Sequence, residues 1–260
     1  MAFTALDVKK LREMTNVGMM DCKKALEATD GDLDKAVDWL REKGLAKAAK
    51  KADRIAAEGV AYATVIDGVG VIIEVNSETD FAAKTDAFMG LVKSLSEIVA
   101  KDAPADVEAL KACTYPGTSL TVTEKMQELV MPIGENMQIR RFDRFEGNFS
   151  VPYVHAGGSH GVLVNLAVEG DIDATEIGKN VAMQIAAMNA KYWDKSLVPQ
   201  ADVDHELQVQ VAAMDNDPKM ASKPAQVKEK IAAGKIAAYF KEICLLQQDF
   251  VRGDLFTGSV

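Results

Sequence analysis

The chain has 260 residues and a net charge of −9, with 30 Lys+Arg against 39 Asp+Glu; phosphate backbones attract positive surfaces, so this balance argues against a general polyanion binder. A hydrophobic share of 48% is enough to bury a core and excludes a wholly disordered chain, and the length suits two or three modules. Cys22, Cys113 and Cys244 are widely spaced with no CxxC pair, the pattern of neither a disulfide framework nor a metal knuckle, so a reducing compartment is expected. MAFTALDVKK carries no apolar leader and no stretch approaches the roughly 18 apolar residues that span a bilayer, so a soluble, cytoplasmic protein is expected.

The first sixty residues read as short helices. Thr4 caps a helix to about Thr15, with Asp7 at the third helical position near the positive helix end. Asn16 to Gly18 is a turn, Met19 to about Ala28 a second helix, and Asp30-Gly31 a break. Asp32 caps a third helix with an apolar stripe of Leu33, Ala36, Val37 and Leu40, and Gly44 is placed to end it. Some forty residues make a marginal core, the kind that serves to bind something. The charge to residue 60 is +1 against −10 for the rest, and its basic excess sits in Arg41 to Arg54. That Ala/Lys run reads as a solvated linker helix, in preference to a nucleic-acid contact.

The pattern then switches to period two. Val60, Tyr62, Thr64 and Ile66 alternate, Asp67-Gly68 turns, and Val71 to Val75 is a β-branched run, together a hairpin. A polar turn at Asn76 to Asp80 leads into a helix to about Lys101, with Phe88, Val92, Leu95 and Val99 on one face. Residues 102–123 are loop-rich around a short helix; another helix spans about Glu124 to Met131, and Met137 to Phe145 is a strand. The hairpin recurs as Ser150 to His155, a turn at Gly157-Gly158, and Gly161 to Val168. GVIIEV at Gly70 to Val75 and GVLVNL at Gly161 to Leu166 share an apolar pattern, which suggests a duplicated β-β-α unit packed into one α+β core. The last quarter is helical: Thr175 to Asn189, then Val203 to Met214 and Gln226 to Leu246 as an antiparallel hairpin around a polar turn.

Chemistry is scarce. There is no GxxxxGK[ST] or GxGxxG phosphate cradle, no HExxH and no GxSxG elbow. His155 and His160 flank the turn in HAGGSHG, but two ligands without a carboxylate cluster are too few for a metal site. Cys22 lies beside Lys23 and Lys24, which would lower its pKa, yet it shares a helix face with Ala25 and Leu26 and reads as a buried apolar residue. Neither metal, cofactor nor covalent catalysis is expected. Phe81, in SETDFAAK directly after the capping-type residues Thr79 and Asp80, admits two readings. Its spacing of seven from Phe88 favours a core aromatic; the alternative is an exposed aromatic on a rigid helix start, the form of an interface anchor. Met19-Met20 beside a turn is likewise core or a soft contact patch.

The sequence resembles the bacterial translation elongation factor Ts family. LREMTNVGMMDCKKALEATDGDLDKAVDWLREKG is similar to the family's ubiquitin-associated-like three-helix module, NSETDFAAK to its N-x-x-T-D-F-V-A-K signature, and IGENMQIRR and YVHAGGSHGVLV to its strand motifs. KEICLLQQDFV is similar to its return from a helical hairpin, so the matches run in order from residue 5 to about 251. The resemblance implies an α+β fold: a three-helix N-terminal module and linker (1–55), a first core subdomain (56–145), a second core subdomain (146–200), a projecting antiparallel helical hairpin (201–248) and a C-terminal tail (249–260). It implies guanine-nucleotide exchange on the GTPase elongation factor Tu, GDP-bound and nucleotide-free, with no direct nucleic-acid or membrane partner; a homodimer of the complex is compatible with it.

By motif, Arg12, Met19, Met20 and Lys23 correspond to module residues that dock on the partner's G domain. Thr79, Asp80 and Phe81 correspond to the signature whose ring enters a cleft beside the Mg²⁺ and phosphate site. Ile133, Gly134, His155 and Val251 correspond to further contacts. Asn16 replaces a usual Gly, and Ala156, Ser159 and His160 depart from the usual H-G-G-G-R-I-G turn around His155. Longer members continue with a helix, a strand and a last helix, so a shortened second half of the core and no terminal-helix contact are expected here. The rival reading is an adaptor whose three-helix module binds peptide or ubiquitin-like partners without exchange activity.

Overall fold

The computed structural model describes residues 3–255 and 258–260 and divides into two compact units, Met1–Ile172 and Asp173–Val260. None of the described helices is long and apolar enough to cross a membrane.

The first unit opens with α1 (Ala5–Thr15), α2 (Met19–Ala28) and α3 (Leu33–Lys51). Thr4 and Asp7 form a reciprocal capping box, and Asn16 ends α1 in the left-handed conformation at φ 53°. Asp32 caps α3 by accepting from the Lys35 N–H at 3.1 Å. The three helices close over a small core that includes Leu11, Cys22, Leu26, Ala36 and Leu40.

Gly44 does not end α3, and no separate linker helix follows. One helix runs unbroken through Lys51. The reason lies across the chain in α7 (Val122–Ile133): a Cβ on Gly44 would stand 2.9 Å from the Met131 Cγ. The glycine is thus a point of close approach between two helices, flanked by an Arg41–Glu128 ion pair at 3.3 Å. Most of the Ala/Lys half of α3 is exposed, as a solvated helix would be, but one side of it is held. Ala48 packs on the larger core, Lys47 pairs with Asp21 at 3.1 Å, and the Lys51 ammonium donates to the Gly134 carbonyl.

Strands β1 (Glu58–Ile66) and β2 (Val69–Ser77) pair antiparallel through the two-residue turn Asp67-Gly68, whose φ values of 50° and 81° suit a tight hairpin. Strand β3 (Met137–Phe145) pairs with β2, giving the order β1-β2-β3. On β1 the buried residues are Val60 and Ala63, so strict alternation through Tyr62, Thr64 and Ile66 does not hold. Burial there answers to more than one neighbour. A second, two-stranded sheet of β4 (Phe149–His155) and β5 (His160–Leu166) packs against β1 and β2. Its approach is close: a Cβ on Gly161 would meet the Ala61 carbonyl oxygen at 2.7 Å, and one on Gly158 would meet the Val60 side chain at 2.6 Å.

The expected single helix after residue 80 is two. Helix α4 (Asp80–Ala83) stops at Lys84, and Thr85 caps a new helix, α5 (Asp86–Asp102), by accepting from the Phe88 N–H at 3.3 Å. Phe88, Val92, Leu95 and Val99 on α5 are buried in the main core with Val71, Ile73 and Val75 of β2. A short α6 (Val107–Ala112) and α7 complete that layer. The order β-β-α occurs twice along the chain, the second time as β4, β5 and α8 (Thr175–Met188).

The second unit contains α8, α9 (Gln200–Asp215) and α10 (Ala225–Ile243). The last two form an antiparallel hairpin that buries Met214, Ala232 and Ile236, with Lys228 bonded to Asp215 at 2.5 Å near its turn. α10 ends at Ile243, short of Leu246, because Cys244 is extended and bridges to Tyr192. Beneath, the side chains of Gln184 and Gln248 are wholly buried and bond to each other at 3.1 Å.

Candidate functional site

The Asp80-Phe81 corner is assembled by capping. Thr79 is extended and its hydroxyl accepts from the Ala82 N–H at 3.3 Å, starting a helix only four residues long. That turn presses Ala82 and Ala83 inward, where they are 5% and 3% exposed, and so directs the preceding side chain outward. Phe81 is 80% exposed, whereas Phe88 is fully buried. The two do not share a helix face, because Thr85 starts a new helix between them, and the core-aromatic reading fails. Asp80 receives Lys84 at 2.6 Å, and this hydrogen bond holds its carboxyl below the usual range.

Two carboxylates tie this corner to the turn after α7. Glu135 accepts from both the N–H and the hydroxyl of Thr79, at 2.9 and 2.6 Å. Glu78 accepts from the Asn136 N–H at 2.7 Å and from Arg54 at 3.2 Å, and the backbone donor chiefly depresses its pKa. The Asn136 amide in turn donates to the Arg54 carbonyl at 2.9 Å. The corner therefore gathers the end of α3, the start of α4 and the end of α7. Ile133 is half-buried against the main core, and Gly134 is exposed, closing α7 at φ 84°. Ile55, 85% exposed directly after Arg54, adds a second exposed apolar side chain that pattern reading missed.

On the three-helix module Arg12, Met19, Met20 and Lys23 are all exposed, Met20 to 65%; the soft-patch reading of the methionine pair fits and the core reading does not. Cys22 is buried, and burial pushes its thiol up, opposite to what activation by the neighbouring lysines requires. His155 is exposed at the β4–β5 turn, with its Nδ1 2.9 Å from the Tyr153 hydroxyl and its ring 6.2 Å from that of His160. Among the described residues no three His, Cys, Asp or Glu side chains gather as metal ligands would. Val251 lies in the second unit, half exposed, its N–H held by Gln184 at 2.7 Å.

The first unit thus brings the predicted residues Thr79, Asp80, Phe81, Ile133 and Gly134 to one corner. Glu78 lies within NSETDFAAK and Glu135 and Asn136 within IGENMQIRR, but the bonds between these two segments, which hold the corner together, are not legible in the sequence, since the partners are 56 to 58 residues apart.

Comparison with known proteins adds a family. A family model described as "Elongation factor TS" matches residues 78–257. "Elongation factor Ts" of Paramagnetospirillum magneticum is 46% identical over 256 residues, covering 95% of this chain and 80% of that protein. "Elongation factor Ts" of Magnetococcus marinus is 42% identical over 254 residues, covering 96% of this chain and 82% of that protein.

Proposed function

The chain belongs to the elongation factor Ts family, and from that premise we propose that it is a guanine-nucleotide exchange factor that binds elongation factor Tu and promotes GDP release by inserting Phe81 beside the partner's Mg²⁺ and phosphate site. The observation that carries the reading is a large aromatic, 80% exposed, on a short helix whose Ala82 and Ala83 are buried beneath it. An exposed ring on a rigid mount is the form of a contact that gains its burial from a partner.

The mechanism is differential binding, without covalent chemistry. A factor that prefers the nucleotide-free partner weakens nucleotide affinity by the same ratio, because linkage is reciprocal. Moving a population from 1:99 to 99:1 takes about 5.5 kcal/mol, and burying one Phe supplies only about 1.5–3 kcal/mol. Phe81 therefore does not act alone. Arg12, Met19, Met20 and Lys23 on the module of residues 1–55, with Ile133, Gly134, His155 and Val251, supply the remaining attachment while the ring wedges. Release of fluorescent GDP from elongation factor Tu tests this: the rate should rise with added chain and then saturate. A rate unaffected by the chain would refute the proposal.

A further inference from the structure

We propose that Glu135, supported by Glu78, is a positioning residue that latches the Phe81 corner in its outward orientation before any partner arrives. The inference deepens the exchange reading and rests on it. A four-residue helix has too few internal bonds to hold itself, since nucleation is the unfavourable part of helix formation. The Thr79 N–H also lies ahead of the helix, where no helical carbonyl is available to it. Glu135 supplies that missing acceptor from 56 residues away, with a second oxygen on the Thr79 hydroxyl. That hydroxyl simultaneously accepts from the Ala82 N–H, so one carboxylate fixes the cap and, through it, the turn that carries Phe81.

The arrangement is crossed. Glu78 and Glu135 each precede a residue whose backbone N–H donates to the other, Thr79 to Glu135 and Asn136 to Glu78. Arg54 binds Glu78 and Lys51 binds the Gly134 carbonyl, so the end of α3 closes the same latch. The set controls the backbone beneath the ring, through the bonds of Thr79 and Asn136. Loss of one charge-assisted acceptor should lower the ratio of latched to unlatched forms by about ten- to a hundredfold.

Amide hydrogen exchange and fluorescent-GDP release on the full chain test this. In Glu135→Ala the Thr79 amide should exchange at least about tenfold faster, and the maximal release rate should fall with little change in the half-saturating concentration. In a Phe81→Ala background the same substitution should cause no further loss of rate. Thr79→Val, which removes the hydroxyl and leaves Glu135 in place, should shift the rate in the same direction by less, and thermal unfolding identifies a variant that has lost its fold. Unchanged protection of Thr79 in Glu135→Ala would overturn the latch. So would an equal loss of rate with and without Phe81, which would mean that Glu135 acts elsewhere. Full activity of Phe81→Ala would instead remove the ring-insertion mechanism, and the Thr79 amide would still decide the latch by itself.

Discussion

Replacing Phe81 by alanine should separate folding from function. With the ring 80% exposed, only about a fifth of its apolar surface contributes to the free protein, about 0.3–0.6 kcal/mol of the roughly 1.5–3 kcal/mol available to a fully buried Phe. On the proposed mechanism the remaining four fifths, about 1.2–2.4 kcal/mol, would be gained only on docking. The thermal midpoint should therefore barely move, while factor-stimulated GDP release at limiting factor falls about eight- to sixtyfold. The paired assays are thermal unfolding monitored by circular dichroism and stopped-flow release of fluorescent GDP from elongation factor Tu. A large drop in the midpoint would show that the ring is enclosed in solution, and a normal release rate would show that it does not meet the partner. Either result refutes the reasoning.

Other substitutions probe the scaffold. Phe88→Ala, seven residues away and fully buried, should cost about 3–5 kcal/mol in a denaturant titration, the opposite balance to Phe81→Ala. Gly44→Leu must displace Met131 on α7 and should destabilise the first unit by about 1–3 kcal/mol, measured by urea unfolding; a neutral result would mean that α3 and α7 do not approach there. Asp194 is held down from 3.8 to about 2, chiefly by the Ser196 N–H and then by Gln247. A depressed carboxylate stabilises above its unfolded pKa, so its contribution should be complete above pH about 4 and lost as the pH falls towards about 2. Asp194→Asn should flatten that part of the stability profile.

Local signals carried much of the fold. The strand Met137–Phe145 and the helix boundaries around Thr15, Met19 and Ala28 follow from caps, turns and periodicity that act within a few residues. What failed depended on distant partners. Gly44 has the composition of a helix stop, and only Met131, 87 positions later, makes it a contact point. Thr85 has the composition of a cap, yet the spacing of Phe81 and Phe88 argued for one continuous face and concealed the break. At the candidate site, family motifs reached Phe81 and its neighbours. The role of the residues that fix its direction did not emerge, because Glu135, though inside a family motif, looks like any loop carboxylate until Thr79 stands 2.6 Å away.

The exchange account rests on preference for a partner that has lost its nucleotide. Calorimetric titration of the chain into elongation factor Tu, once nucleotide-free and once saturated with GDP and Mg²⁺, measures that preference directly. The account predicts markedly tighter binding to the nucleotide-free form, and a matching loss of GDP affinity when the chain is bound. Equal affinity for both forms would contradict it, however tightly the chain bound.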